Sequence, residues 1–293
     1  MSETTLPGDP AAEATDTTGH AWDGIREYNN PLPRWWLYTL YATVIWSVGY
    51  WIAYPAWPLV SGYTAGLLGY SQRQTVLAEV DGVRAVRDAR GQARLASIPV
   101  AEIRADPDLL RLALASGKAA FGDNCAACHG TAATGRTGYP NLQDDDWLWG
   151  GTVEAIERTI RYGARSGHGE AHLGDMPAFG RDGILTRAEV EAVASYVLSL
   201  SGKPGVKGAN VETGRAVFAG TCAACHGEAA KGNPEMGAPD LTDPIWLYGS
   251  SPQDVVTTVT QGRRGVMPAW EGRLDAATIK ALAITVHSLG GGR

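Results

Sequence analysis

Cys125-Ala-Ala-Cys-His-Gly130 returns, residue for residue, as Cys222-Ala-Ala-Cys-His-Gly227. Cys-x-x-Cys-His is the pattern on which c-type haem is attached covalently. Two thiols one helical turn apart can both reach the vinyl groups of a porphyrin, and the adjacent imidazole then lies under the iron. All four cysteines of the chain fall in these two motifs, so none is left for other work. Zinc ligation by two Cys-x-x-Cys pairs would leave unexplained why each pair carries its own histidine. A thioredoxin-like pair needs a βαβ pattern around it, which is absent, and paired disulfides give no role to His129 and His226. The expectation is two covalently bound haem c groups, held by Cys125, Cys128, Cys222 and Cys225.

The repeat reaches well beyond the cysteines. Gly117-Lys-Ala-Ala-Phe121 precedes the first motif as Gly214-Arg-Ala-Val-Phe218 precedes the second. Pro140-Asn-Leu142 matches Pro239-Asp-Leu241, and Trp147-Leu-Trp-Gly150 matches Trp246-Leu-Tyr-Gly249. Apolar residues at helical spacing run from Val153 to Gly163 and from Gln253 to Gly262, each ending at glycine. Met176-Pro-Ala-Phe179 matches Met267-Pro-Ala-Trp270, and two amphipathic helices follow, Leu185–Leu200 and Leu274–Leu289. Asp106 as N-cap with Pro107 at the first helical position starts the helix that leads into the first motif.

What fills the sixth position of each iron decides the chemistry. Methionine makes an electron carrier and raises the potential, whereas an open position admits peroxide or gases. Met176 and Met267 stand in equivalent Met-Pro loops, some forty residues beyond the histidines. His129, Met176, His226 and Met267 are therefore the expected axial ligands, and sequence order pairs His129 with Met176 and His226 with Met267. Met236, without a counterpart in the repeat, reads as a loop or pocket-lining side chain. His168 and His172 lie in an insertion peculiar to the first half; a histidine there could replace methionine on the first iron, but the reading preferred is exposed loop residues or residues near a haem edge. Asp144-Asp-Asp146 reads as a solvated turn.

With 25 Lys and Arg against 31 Asp and Glu, a nucleic-acid partner is disfavoured. More than half of the ten tryptophans fall between Trp22 and Trp57, as at a membrane interface. From Trp35 to Tyr54 the chain has neither charge nor proline, which as a helix spans ~30 Å. One transmembrane anchor is expected, over residues 34–60. Arg26 and Arg34 precede it and no basic residue follows until Arg73, which puts the N-terminus in the cytoplasm and the remainder outside. No signal peptide is expected, because the apolar run starts late and is long. Residues Met1 to about Ala21 read as a disordered tail.

The expected division is a cytoplasmic tail and juxtamembrane segment (1–33), the anchor (34–60) and a connector (61–107). Two haem domains (108–201 and 209–293) follow, joined by a Gly/Pro-rich linker (202–208). The class is all-α, with one N-terminal transmembrane helix.

The layout resembles tandem class I cytochrome c domains, in which helices wrap a haem and the N- and C-terminal helices cross. The phrase Asp23-Gly-Ile-Arg-Glu-Tyr-Asn-Asn-Pro-Leu-Pro-Arg-Trp-Trp36, then Tyr54-Pro-Ala-Trp-Pro58, with the two haem motifs, is similar to the dihaem subunit III (FixP/CcoP family) of cbb3-type cytochrome c oxidases. That resemblance implies a non-catalytic electron-transfer subunit of the bacterial inner membrane, its haem domains periplasmic. It implies electrons arriving from cytochrome c or the bc1 complex and leaving, by way of a monohaem c subunit, for a haem–copper subunit that reduces oxygen and pumps protons. It also implies exchanged methionines, Met267 serving the first haem and Met176 the second; spacing leaves both pairings open. The rival readings are a stand-alone dihaem carrier for another reductase or dehydrogenase, and a dihaem peroxidase.

Overall fold

The structure, a computed structural model, describes residues 16–291. The chain divides into two compact units, residues 1–82 and 83–293.

The first unit opens with a hairpin, β1 (Thr17–Trp22) against β2 (Ile25–Tyr28), with Trp22 opposite Ile25. Asp23 and Gly24 form the turn, both at positive φ (47° and 84°). Asp-Gly with two left-handed residues is the two-residue turn whose twist suits a hairpin. Of the stretch expected as a disordered tail, Thr17–Ala21 thus lie in a strand, and residues 1–15 lie outside the described residues. Helix α1 (Arg34–Ala53) follows Pro33 and buries none of its residues. The chain then folds back through a small hairpin, β3 (Pro58–Leu59) and β4 (Gly62–Tyr63). Leu67 and Leu68 donate to the Ile52 and Ala53 carbonyls at 2.9 and 3.0 Å, satisfying the open end of α1. Among the described residues no helix is long and apolar enough to cross a membrane.

Helix α2 (Gln72–Ala89) runs across the boundary between the units. The short helices α3 (Gln92–Ser97) and α4 (Val100–Ala105) come next. This stretch, expected as a connector, supplies core: Leu95 and Ile103 are 0% exposed. Helix α5 (Pro107–Asn124) starts as expected, with the Asp106 carboxylate accepting from the Asp108 and Leu109 amides at 3.0 and 3.2 Å. Its buried residues Leu109, Ala113, Gly117 and Phe121 recur every four positions, a single stripe along one face. It leads into α6 (Ala126–His129), and α7 (Val153–Tyr162) and α8 (Arg187–Leu200) complete the first half. In the second half α9 (Val211–Val217) passes through a π-helical turn, Phe218–Cys222, into α10 (Ala223–His226). Helices α11 (Pro252–Gln261) and α12 (Ala276–His287) follow.

The expectation that each half closes on its own C-terminal helix does not match the packing. Helix α12 lies on α5 and α7, while α8 lies on α9 and α11. One core joins Leu109, Ala113 and Phe121 to Ile279, Leu282 and Val286. The other joins Val193, Val197 and Leu198 to Phe218, Val255 and Val259. The two C-terminal helices have therefore changed places. Chain connectivity gives the reason for one pairing: α8 and α9 are consecutive, and consecutive elements pack together most readily. The linker is held along α8 by a 2.8 Å bond from the Val206 amide to the Ser195 hydroxyl.

Two glycines permit the crossings. A Cβ on Gly117 would run into the Ala281 carbonyl and the Thr285 hydroxyl; one on Gly214 would meet the Ala192 carbonyl and Tyr196. Neither helix backbone can yield without opening its core. Gly117→Ala and Gly214→Ala should each lower stability by about 1–3 kcal/mol, the cost of overpacking a tight contact. Thermal unfolding measures this, and an unchanged Tm for both would contradict the crossings.

Candidate functional site

Each motif forms one helical turn at the end of a longer helix. The Cys125 amide donates to the Phe121 carbonyl at 2.8 Å, and the His129 amide to the Cys125 carbonyl at 2.9 Å. Beyond each histidine the chain makes the same compact loop, with Ala133 and Ala230 both buried at φ 59°. The Leu142 amide returns to the Ala133 carbonyl, and that of Leu241 to Ala230, each at 2.8 Å. This loop sets the imidazoles. His129 Nδ1 lies 3.0 Å from the Pro140 carbonyl, and His226 Nδ1 3.0 Å from the Pro239 carbonyl. A carbonyl can only accept, so Nδ1 carries the proton and Nε2 keeps its lone pair for a metal. Burial lowers both histidine pKa values, outweighing the hydrogen bond to proline, and favours the neutral, ligating form. The paired prolines were visible as a repeat; their work as imidazole-orienting acceptors was not.

The methionine loops are fixed by short ladders that cross between the halves. Ala164 and Met267 exchange two backbone hydrogen bonds of 3.0 Å, and so do Met176 and Arg263. Gly163 and Gly262 make the approach possible, since a Cβ on either would strike the carbonyl of Met267 or Met176 respectively. As a result Met267, like Cys125 and Ala126, packs against the α5–α12 core. Met176 lines a cavity with Cys222, Cys225 and His226. The structure thus brings Met267 to the first motif and Met176 to the second, against sequence order.

The cavity at the second motif has walls of Val193, Val197, Phe218, Leu241, Val255 and Val259, with Trp246, Tyr248, Arg165 and Arg263 among its polar members. Trp246 Nε1 is buried there without a hydrogen-bond partner, whereas its counterpart Trp147 donates to the Gly291 carbonyl. An apolar slot with two thiols, an imidazole, a thioether and one unanswered indole N–H fits a large, flat, apolar ring with polar substituents. It fits zinc poorly. Burial pushes the Cys125 and Cys222 thiols up to about 11. Among the described residues no group of three or more His, Cys, Asp and Glu could hold a metal ion.

Met236 lines this cavity, as expected of it. His168 instead pairs with Glu271 at 3.2 Å and stacks on Tyr162. His172 stacks on Trp149 at 4.2 Å with Nε2 3.0 Å from the Thr159 hydroxyl. Within the Asp144–Asp146 run only Asp145 is exposed, as a solvated turn would have it. Asp146 is withdrawn from solvent and lines the same cavity. Burial first, then the charges of Asp243, Asp144 and Asp240, push its carboxyl up to about 7. Between the ordinary 3.8 and that raised value the folded chain holds a proton that the unfolded chain releases, so stability falls as pH rises through this window. Asp146→Asn should therefore raise Tm above the window, with the gain vanishing near the ordinary carboxyl value. Melting curves across pH check this; a gain independent of pH would contradict it.

Residues 14–61 match the family model for the N-terminal domain of cytochrome oxidase-cbb3, FixP. Residues 114–201 match that for cytochrome c, and 209–284 that for cytochrome C oxidase, cbb3-type, subunit III. The Cbb3-type cytochrome c oxidase subunit FixP of Bradyrhizobium sp. (strain ORS 278) is 57% identical over 283 residues, covering 97% of each chain. The FixP subunit of Bradyrhizobium diazoefficiens is 56% identical over 277 residues, covering 94% of this chain and 95% of its own. The CcoP subunit of Cereibacter sphaeroides is 48% identical over 287 residues, covering 98% and 97%. Similarity of this extent, spanning the N-terminal segment and both haem motifs, makes the chain a member of the FixP/CcoP family of cbb3-type cytochrome c oxidase subunits.

Proposed function

We propose that this chain is the dihaem electron-transfer subunit of a cbb3-type oxidase. It receives electrons from cytochrome c or the bc1 complex and passes them towards a separate oxygen-reducing subunit in respiration coupled to proton transport. It has no catalytic site of its own. The observation that carries this reading is the cavity bounded by Met176, Cys222, Cys225 and His226. Cys125 and Cys128 hold one porphyrin and Cys222 and Cys225 the other. His129 with Met267 would hold the iron of the first haem, and His226 with Met176 that of the second. A bound haem c supplies one-electron redox chemistry, and a thioether as sixth ligand raises its potential. The protein contributes neutral, oriented imidazoles, thioethers held on backbone ladders, and apolar walls that keep water from the site. Two such methionine loops leave no open position for peroxide, which weighs against a peroxidase.

Met176→Ala should change the visible spectrum and lower the potential of the haem attached at Cys222 and Cys225, leaving the other as it was. Met267→Ala should do the reverse. Sequence-order ligation requires the opposite assignment, and single-haem variants lacking one cysteine pair distinguish the two.

The same reading makes α1 the membrane anchor, with the N-terminus cytoplasmic and the haem sites periplasmic. Its support is a helix of 20 residues with no charge after Arg34 and no buried side chain. Seven of those residues are Trp or Tyr (35, 36, 38, 41, 46, 50 and 51). Indole N–H and phenol groups depress average hydropathy, yet these residues favour the membrane interface. Against an isolated carrier, the expected partners are a haem–copper subunit and a monohaem c subunit. Alkaline carbonate washing should leave the full chain in the membrane and release a chain lacking residues 1–60. Mild-detergent purification should recover haem b and copper with it; a solitary dihaem protein would favour the stand-alone carrier.

A further inference from the structure

The insertion that distinguishes the first half, between Gly163 and Met176, carries one side chain for which the sequence suggested no task. Arg165 has a left-handed backbone, φ 52°, a strained choice for a residue with a side chain. Its guanidinium is held by the carbonyls of Gly265 and Gly174 and lies 5.8 Å from the centre of the Trp149 ring. It is half-buried and lines the cavity that contains Met176, Cys222 and His226. Burial lowers its pKa, the mark of a cation that has lost water.

No carboxylate among the described residues forms an ion pair with it. The three acids on the same cavity are otherwise engaged. Asp175 pairs with Arg264 at 3.6 Å, and Asp240 with Lys231 at 3.2 Å. Asp146 faces other acids and keeps its proton up to about pH 7. The other arginine on the wall, Arg263, is turned onto the Thr258 hydroxyl (3.1 and 2.7 Å) and the Tyr248 ring (4.2 Å). Two backbone carbonyls occupy Nε and Nη1 of Arg165, leaving N–H donors on a partly desolvated charge that Asp175, itself paired with Arg264, supports without forming an ion pair. A half-buried cation loses part of its hydration, which an anion can replace, and the planar fork suits a carboxylate. The unpartnered Trp246 N–H on the same cavity asks independently for an acceptor that the protein does not supply.

We propose that Arg165 is an anion anchor of the second haem site, its guanidinium pairing with a carboxylate side chain of the porphyrin held by Cys222 and Cys225. This rests on the haem reading above. The pairing keeps that carboxylate ionised and places a positive charge beside the second haem, favouring the reduced state. An arginine from the first half's insertion thereby sets the potential of the site built around the second motif.

The test is a redox titration of each haem across pH in the full-length, haem-loaded protein, with the first haem as internal reference. Arg165→Gln is expected to lower the second haem's potential and make it fall with rising pH, as the released carboxylate titrates. The first haem should not move, and Arg165→Lys should restore much of the potential. If Arg165→Gln keeps both wild-type spectra and the wild-type potential and pH profile, the anchor is refuted. If that variant fails to hold haem, Arg165→Lys decides by resonance Raman. A shifted carboxylate bending band of the second haem supports the contact, and an unshifted one overturns it. The underlying reading is tested apart, by haem attachment at Cys222 and Cys225 in the wild-type chain: absence of haem there refutes that reading itself.

Discussion

Two helix crossings, at Gly117 against the Ala281 carbonyl and at Gly214 against the Ala192 carbonyl, hold the haem-bearing part of this chain together. Each joins a helix that delivers a haem motif to the C-terminal helix of the other half. Backbones approach this closely only where a Cβ is missing, and the apolar stripes on either side close around the contact. The residues of both cores follow from that choice. So does the position of each methionine, because the Met-Pro loops precede α8 and α12 and travel with them.

The exchange makes the two haem sites interdependent. Each site takes its thiols and imidazole from one half and its methionine and one wall from the other. The backbone ladders from Met267 to Ala164 and from Met176 to Arg263 fasten the loops where the crossings have carried them. Electron transfer asks for little rearrangement between oxidation states. Rigid ladders, imidazoles fixed by proline carbonyls and close-packed apolar walls meet that demand. The acidic side chains gathered about Asp146, drawn from both halves, and the unpaired Arg165 guanidinium put opposite charges on the same cavity, which gives the protein means of tuning one site without altering its ligands.

Much of this was legible in the residues. The doubled Cys-Ala-Ala-Cys-His-Gly named the cofactor, the Met-Pro loops marked the thioethers that the structure brings to the motifs, and Asp106-Pro107 marked the start of α5. The pairing of halves was not legible, and the reason is physical. The stripes of α8 (Val190, Val193, Val197) and α12 (Ile279, Leu282, Val286) have the same period and similar bulk, so either could cover either partner. Sequence order favoured the closure within each half, while ten residues between α8 and α9 favoured the other. The environment of Asp146 was not legible, because three acids in a row suggest solvent whereas the approach of Asp243 from the other half is invisible locally. The Asp23-Gly24 turn is marked in the sequence by a dipeptide that favours two-residue hairpins. Leu95 and Ile103 lie in helices too short for periodicity to mark.

The crosswise assembly is tested most directly by cutting the chain where the halves join. A protease site introduced at Lys207-Gly208, in the exposed linker, would be cleaved in the haem-loaded protein and the products passed over a sizing column under native conditions. Exchanged helices predict that the two fragments co-elute and keep the visible spectra of the uncut chain. Separation into two fragments, each with an intact His/Met haem spectrum, would contradict the account.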